Sequence, residues 1–172
     1  MLIKDVHEAI FDFLIEKNIE DSDFRFTTRQ NNRNNRLTLG YWFIGDDNYL
    51  EVSFWDGKEG ISRINKIGYT VDLKRNKVYY NFSTKSDLGK EIVDLAIKKL
   101  STPKVEKYFW KTILVENIIS IDQILDSLKN FLFDVKPVID EIVLENLQNG
   151  ISFIPDEKFK KQIEKISKIK NN

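Results

Sequence analysis

Two tight-turn signals, set between aromatic and β-branched runs, do most to limit what this chain can fold into. The first is Gly45-Asp-Asp-Asn48 and the second is Lys74-Arg-Asn-Lys77. Glycine, aspartate and asparagine suit tight turns, and the residues around both turns are types enriched in strands. Each turn therefore predicts an antiparallel hairpin, and five or six strands are expected in all, from six candidate segments. They are residues 24–28, 37–43, 49–55, 67–73, 78–82 and 105–114.

Apolar residues at helical spacing predict four helices around these strands. Ser120-Ile-Asp-Gln123 is a capping-box pattern that opens one of them, and Pro137 should kink or end the same helix. An antiparallel meander must cover its apolar face, so the predicted fold class is α+β. We expect an antiparallel β-meander of five or six strands covered by helices, with a helical C-terminal part. The predicted helices are residues 2–17, 87–100, 121–147 and 156–170.

The length of 172 residues is enough for one domain with a sizeable core. We expect a single α+β domain over residues 1–150. Residues 151–172 are predicted to form a basic amphipathic helix or a linker, because residues 156–170 carry six lysines and three acids. Such a helix either docks on its own domain or leads towards another one, and both interpretations stay open.

The composition excludes several classes of protein. There is no cysteine, which rules out disulfides, thiolate zinc sites and cysteine nucleophiles. A chain without cysteine suits a reducing cytoplasm, which is the predicted location. Charges recur every few residues near the N-terminus, so neither a signal peptide nor a membrane span is expected there. The net charge is zero, so any affinity for nucleic acid must come from a local surface.

No residue pattern in the chain predicts catalysis. His7 is the only histidine and has no recognisable nucleophile beside it, so we expect it on the surface or at the core edge. The seven glycines form no phosphate-binding loop, and no cofactor is predicted. The carboxylates of Asp46, Asp47 and Glu51 are either turn residues or the ligands of a magnesium-dependent nuclease. We favour the turn and expect a binding protein, not an enzyme.

A cationic and aromatic stretch is the strongest candidate for function. Four arginines and no acid lie between Phe24 and Tyr41, and four asparagines lie among the arginines. Arginine donates in pairs to phosphate and guanine, asparagine reads base edges, and aromatic rings stack on bases. The candidate nucleic-acid-binding residues are Arg25, Arg29, Asn32, Arg33, Asn35, Arg36, Tyr41, Trp42 and Trp55.

Two interpretations of this stretch stay open. In the first, three arginines hold phosphates while Trp42 or Trp55 stacks on an exposed base. The expected phosphate contacts are Arg29, Arg33 and Arg36. In the second, the polar residues form a solvated loop and most of the aromatic residues pack in the sheet core.

The segment Gly40–Gly60, GYWFIGDDNYLEVSFWDGKEG, resembles the amino-terminal domains attached to restriction and anti-phage ATPases of the McrB type. The later runs KYFWKTIL and IDQILDSLKNFLFDVKPVID resemble the same domains. The resemblance implies a module that recognises DNA, often a modified base, and leaves cleavage to an ATPase or nuclease domain or subunit. It points to Tyr41, Trp42, Asp46, Asp47, Tyr49 and Trp55. The predicted function is DNA recognition in a restriction or phage-defence system.

The alternative is a protein-interaction module, such as a toxin-immunity protein or an assembly subunit. Residues 1–23 carry seven acids against two lysines, so the first helix has an acidic face that suits a protein partner. The basic C-terminal helix is the other surface that such a module would use. Salt-dependent binding to oligonucleotides discriminates between the two functions.

Overall fold

The described part of the chain contains five α-helices and eight β-strands. The computed structural model describes residues 1–57, 65–84, 87–100, 105–107, 110–146 and 151–172. The helices are α1 (Ile3–Glu20), α2 (Asp87–Leu100), α3 (Ile121–Asn130), α4 (Lys136–Glu145) and α5 (Asp156–Lys170). The strands are β1 (Ile44–Gly45), β2 (Tyr49–Ser53), β3 (Trp55–Gly57), β4 (Asn65–Asp72), β5 (Lys77–Thr84), β6 (Val105–Lys107), β7 (Trp110–Asn117) and β8 (Ile151–Phe153).

Six of these strands form one antiparallel sheet, which confirms the predicted α+β class. The strand order is β1-β2-β4-β5-β7-β6, and β3 pairs with β8 as a separate two-stranded sheet. Helix α1 packs against β2, and α2 packs against β5. Helix α3 is tied to the centre of the sheet by two buried hydroxyl groups. Tyr69 donates to the carbonyl of Ile124 over 2.9 Å, and Tyr80 donates to that of Ser127 over 3.2 Å.

Both predicted turns are present. Strands β4 and β5 pair as far as Asp72 and Lys77, so the loop between them has the expected four residues. The turn between β1 and β2 pairs Gly45 with Leu50. Gly45 has a φ of +146°, and a Cβ there would lie 2.0 Å from the carbonyl oxygen of Tyr49. Only glycine fits this position, because it alone lacks the Cβ.

The predicted strand at residues 37–43 is wrong, and only Ile44–Gly45 pairs with β2. Consecutive side chains of a strand point to opposite faces of a sheet. Tyr41, Trp42 and Phe43 are all buried, so this segment is enclosed on more than one side. Residues 37–40 turn instead, and Gly40 has a φ of +88°.

The predicted strand at residues 24–28 is also wrong. The segment has no regular secondary structure and makes isolated bonds, such as Thr27 N–H to the Ser53 carbonyl over 2.8 Å, but it joins no sheet. The residue alternation that suggested a strand is real, because Phe26 and Thr28 are buried while Thr27 is half-buried. A segment packed between other elements shows the same period as a half-buried strand.

The C-terminal helices follow the prediction with one change. The helix predicted over 121–147 is divided into α3 and α4 by a π-helical segment at Phe131–Val135, and Pro137 lies in the first turn of α4. The Ser120 hydroxyl accepts from Gln123 N–H over 3.2 Å, which confirms the predicted cap. In place of the single strand predicted at 105–114, β6 and β7 pair with each other, and residues 108 and 109 of that prediction lie outside the described residues.

Helix α5 packs on the N-terminal half of the chain. Phe159 and Ile166 are buried, and the Phe159 ring lies 5.1 Å from that of Phe26, centroid to centroid. His7, expected at the surface or core edge, is fully buried in the same core. Within the described residues, no helix is both long enough and apolar enough to cross a bilayer.

Candidate nucleic-acid interface

The loop of residues 29–36, called here the arginine–asparagine loop, is held in one conformation by its own asparagines. The Asn32 amide donates to the Thr38 hydroxyl over 2.8 Å and its oxygen accepts from Thr38 N–H over 3.2 Å. Asn34 and Asn35 have φ values of 56° and 55°, a region that asparagine tolerates better than most residues. Asn32 therefore closes the loop, while Asn35 lies exposed at its tip.

Arg25 is a structural residue in this arrangement. Its guanidinium donates to the carbonyl oxygen of Ile154 over 3.0 Å and lies 3.3 Å from a carboxylate oxygen of both Asp23 and Asp156. These contacts join the segment after α1 to the start of α5. A side chain held by three acceptors in this way has little capacity left for phosphate.

Arg29 is likewise turned inwards. It donates to the carbonyl oxygens of Tyr41 and Gly45 over 3.1 and 2.9 Å. Burial lowers the pKa of the Arg29 guanidinium, and the nearby charge of Arg36 lowers it further. Arg29 therefore supports the backbone that leads into β1 and is not placed to hold a ligand phosphate.

Arg36 forms a cluster with an acid and a phenol. It pairs with Asp47 over 2.5 Å and lies over the Tyr41 ring at 4.5 Å, while the Tyr41 hydroxyl donates to Asp47 over 2.7 Å. The hydrogen bond between them raises the pKa of Arg36 and lowers that of the Asp47 carboxyl. The same carboxylate raises the pKa of the Tyr41 phenol. The charge of Arg36 is thus largely neutralised.

Arg33 is the one arginine of the loop whose side chain is open to solvent. It is exposed, and within the described residues its guanidinium has no hydrogen-bond or ion-pair partner. Of the three arginines expected to hold phosphates, Arg33 alone is placed to do so.

Neither of the two candidate tryptophans presents a free face, so base stacking on Trp42 or Trp55 is not supported. Each is 4% exposed. The indole N–H of Trp42 donates to Glu8 over 2.8 Å, and that of Trp55 donates to Asp140 over 2.8 Å. Both rings therefore serve the core, as aromatic residues at such spacing commonly do.

Two lysines of α5, Lys161 and Lys165, lie beside the loop. Sequence patterns alone did not predict this position. The amide groups of Gln162 and Gln30 are joined over 2.8 Å, and Lys165 donates to the Gln30 carbonyl over 3.1 Å. Lys161 is exposed and lies one turn from Lys165 on the same side of α5. The lysine spacing of α5 is visible in the sequence, but its contact with a loop about 130 positions earlier is not. Arg33, Lys161 and Lys165 are called here the cationic surface.

A cleft opens between α5 and the segment before the loop. It has a volume of about 160 Å³ and is called here the α5 cleft. Its walls include the rings of Phe26, Trp55 and Phe159, with Gln30 and Gln162 among its polar residues. Thr28 also lines it, and within the described residues its hydroxyl has no hydrogen-bond partner although the residue is 3% exposed. Within the described residues, the side-chain oxygen of Gln162 also has no hydrogen-bond partner.

The carboxylates near the first turn have structural contacts. One Asp46 oxygen accepts from the N–H groups of Asn48 and Tyr49 over 2.7 and 3.2 Å, which is an Asx-turn arrangement. Asp47 is paired with Arg36. In the part of the chain that the structure describes, no group of three histidines or acids is close enough to hold a metal ion. The contacts of Asp46 and Asp47 therefore agree with the interpretation of these carboxylates as turn residues.

Comparison of the chain with protein-family models, with curated proteins and with solved structures found no match, so any function must be argued from the cationic surface and the cleft.

Proposed function

We propose that this protein is a DNA-binding recognition module that holds phosphates on the cationic surface and reads one base at the α5 cleft. The observation that carries the proposal is the pair of contacts from Gln162 and Lys165 to Gln30. These contacts bring a lysine row of α5 next to the arginine–asparagine loop. A surface of this kind can bind DNA although the whole chain has no net charge.

The three cations have complementary chemistry. Arg33 offers a planar fork of donors that matches the oxygens of a phosphate, and Lys161 and Lys165 act as compact positive charges. Most protein–DNA hydrogen bonds go to the backbone, and they position the duplex without reading its sequence. The cationic surface would therefore supply affinity and register, while discrimination between bases needs another group.

We assign base discrimination to the α5 cleft. An apolar cavity of about 150 Å³ accommodates one benzene-sized ring, and the cleft has a similar volume of about 160 Å³. Its aromatic walls offer little open surface, because Phe26, Trp55 and Phe159 are at most 5% exposed, so discrimination would come from the unused hydrogen-bonding atoms of Thr28 and Gln162 that also line it. A buried polar atom without a partner is costly, so a ligand that pairs with it gains from the contact.

The biological setting of the proposal comes from the resemblance of Gly40–Gly60 to McrB-type amino-terminal domains. By that resemblance the module would serve a restriction or phage-defence system, with modified bases among its targets. An ATPase or nuclease domain or subunit would then be its partner and would carry out the cleavage.

The rival surface, the acidic face of α1, is partly covered. Lys170 at the end of α5 donates to Glu8 and lies 3.0 Å from Asp12. Glu8 also accepts from the Trp42 indole. A protein partner at this face would have to displace α5 contacts first, which favours the DNA-binding proposal over the interaction module.

Replacing Arg33, Lys161 and Lys165 together by alanine should weaken DNA binding at least tenfold near physiological salt. The slope of log affinity against log salt should fall by about one unit per lost phosphate contact, up to about three in all. The measurement is fluorescence anisotropy with duplex and single-stranded oligonucleotides over a salt series.

The matched control removes the same charge from other exposed positions, Lys74, Lys98 and Lys99. This control should retain the affinity and slope of the unmodified protein. An equal loss in both triple variants would contradict a localised surface. Failure of the unmodified protein to bind any oligonucleotide at low salt would reject the DNA-binding function and favour the protein-interaction module.

Thr28→Val should separate base discrimination from stability. Valine removes a buried hydroxyl that has no partner in the described residues, so the free energy of unfolding should rise by about 1 kcal/mol. If the cleft reads a base, the preference between methylated and unmodified oligonucleotides should shrink while the salt slope stays unchanged. A preference unchanged from that of the original protein would remove the cleft from the mechanism.

A further inference from the structure

A second pocket lies where α1 meets the junction of α3 and α4, and none of its lining residues lines the α5 cleft. Its volume is about 570 Å³, within the range of pockets that take small organic molecules. The walls combine apolar rings with three lysines, which are Lys17 of α1, Lys129 of α3 and Lys136 of α4. Among the described lining residues Asp140 is the one acid, so these residues carry an excess of two positive charges.

The lysines differ in how firmly they are neutralised. Lys136 pairs with Asp140 over 2.8 Å, and its side chain is 18% exposed. Within the described residues, Lys17 and Lys129 pair only with acids on their own helices, Glu20 and Asp126, whose side chains are 65% and 72% exposed. Exposed pairs of this spacing contribute little, so an anion can replace these acids at small cost.

The two weakly paired lysines meet at one aromatic ring. The ammonium of Lys17 lies 5.7 Å from the centroid of the Phe13 ring, and that of Lys129 lies 6.0 Å from the same centroid. They come from different helices, α1 and α3, so the pocket gathers charge that neither helix has alone. Positive groups over a ring form a site with an apolar floor and cationic sides.

Phe133 gives an independent reason to expect a ligand here. Its side chain is 83% exposed at the edge of the pocket. It belongs to the π-helical segment Phe131–Val135, and π-helical insertions are frequent at functional sites. An exposed phenyl ring offers a face for offset stacking with a second flat ring.

We propose that this pocket binds a small organic anion whose apolar part is a flat aromatic ring. The anionic group would lie between Lys17 and Lys129, and the ring would pack against Phe24 and Phe133. Aromatic carboxylates and nucleotides share this chemistry. The proposal does not depend on DNA binding, because neither the cationic surface nor the α5 cleft contributes a residue to the pocket.

The test is a titration of the ¹⁵N-labelled full chain with 1-naphthoate, followed by backbone amide shifts. We expect saturable shifts at Asn130 and Phe133, with the amides of Gln30 and Gln162 unchanged. The uncharged analogue 1-naphthalenemethanol and the ringless anion acetate should each bind at least tenfold more weakly. A parallel titration uses adenosine monophosphate. The ligand that binds more tightly shows whether the pocket prefers a nucleotide or an aromatic carboxylate.

Two variants locate the interaction. Lys17→Met with Lys129→Met keeps the length of both side chains and should weaken naphthoate binding at least tenfold, whereas Lys74→Met should not change it. Phe133→Ala alters an exposed ring, so the protein should stay folded and lose affinity several-fold. Equal binding of naphthoate and its uncharged analogue would overturn the proposal. So would an absence of shifts at Asn130 and Phe133 at millimolar naphthoate.

Discussion

Phe131→Ala should lower the free energy of unfolding by about 3–5 kcal/mol. The Phe131 ring is fully buried and lies among four other rings. Its centroid is 4.9 Å from that of Tyr80 and 5.9 Å from that of Tyr69. The rings of Phe54 and Trp55 lie at 5.8 and 6.5 Å. Truncation therefore removes several aromatic contacts and leaves a cavity where the C-terminal helices meet the sheet.

The chain offers a matched control two residues away. Phe133 belongs to the same π-helical segment but is 83% exposed, so Phe133→Ala should change the free energy of unfolding by no more than about 0.5 kcal/mol. Urea unfolding followed by tryptophan fluorescence and circular dichroism measures both variants. Similar losses in the two would mean that the segment, and not the buried ring, determines the cost.

The parts of the fold that sequence analysis predicted are those set by local chemistry. The turn at Gly45 needs a residue without a Cβ, and the four-residue loop after Asp72 is bounded by strand-forming runs. The Ser120 cap is a contact between residues three apart. Each of these features is decided within a few residues of the chain, so a pattern in the sequence is enough to find it.

The two wrong strand predictions concern segments whose burial depends on packing against distant parts of the chain. Residues 24–28 alternate because Phe26 meets Phe159 of α5, more than 130 positions away. The aromatic run Tyr41–Phe43 is enclosed by residues that include His7 and Phe11 of α1. Period and residue type describe burial, and burial alone does not distinguish a strand from a packed loop.

The candidate interface shows the same limit. The four arginines could be counted from the sequence, but the acceptors that occupy Arg25 include Ile154, and the acceptor of Arg36 is Asp47. The lysines of α5 were visible as a basic helix face, and only the fold places Lys165 against Gln30. The cationic surface therefore combines one predicted residue, Arg33, with two from a helix that was not predicted to lie there.

The second large effect concerns His7, the single histidine of the chain. The ring is fully buried and stacks on Phe43, with ring centroids 5.7 Å apart. Its Nδ1 accepts from the Phe43 N–H over 3.2 Å, and within the described residues its Nε2 has no partner. A proton on Nδ1 would remove that hydrogen bond. Burial, together with the charges of Arg29 and Arg36, lowers the pKa of His7 from 6.5 to about 3.

This depressed pKa predicts a loss of stability in mild acid. Between pH 6.5 and 3 the unfolded chain binds a proton at His7 that the folded protein does not, so the free energy of unfolding falls as pH falls. The slope approaches about 1.4 kcal/mol per pH unit, and the loss at pH 5 is about 2 kcal/mol relative to neutral pH. The carboxyl groups with lowered pKa, Glu8, Asp47, Asp156 and Glu164, add to the loss mainly at lower pH.

Urea unfolding at intervals between pH 5 and 7.5 should therefore show a slope that His7→Asn removes. The asparagine oxygen can accept from the Phe43 N–H as Nδ1 does, but the side chain does not titrate in this range. The variant should be less stable at pH 7.5 because it loses the ring contacts, so the comparison rests on slope and not on absolute stability. A variant that kept the slope of the original protein would show that His7 is not the group responsible. A flat profile in the original protein would mean that His7 can accept a proton in the folded core.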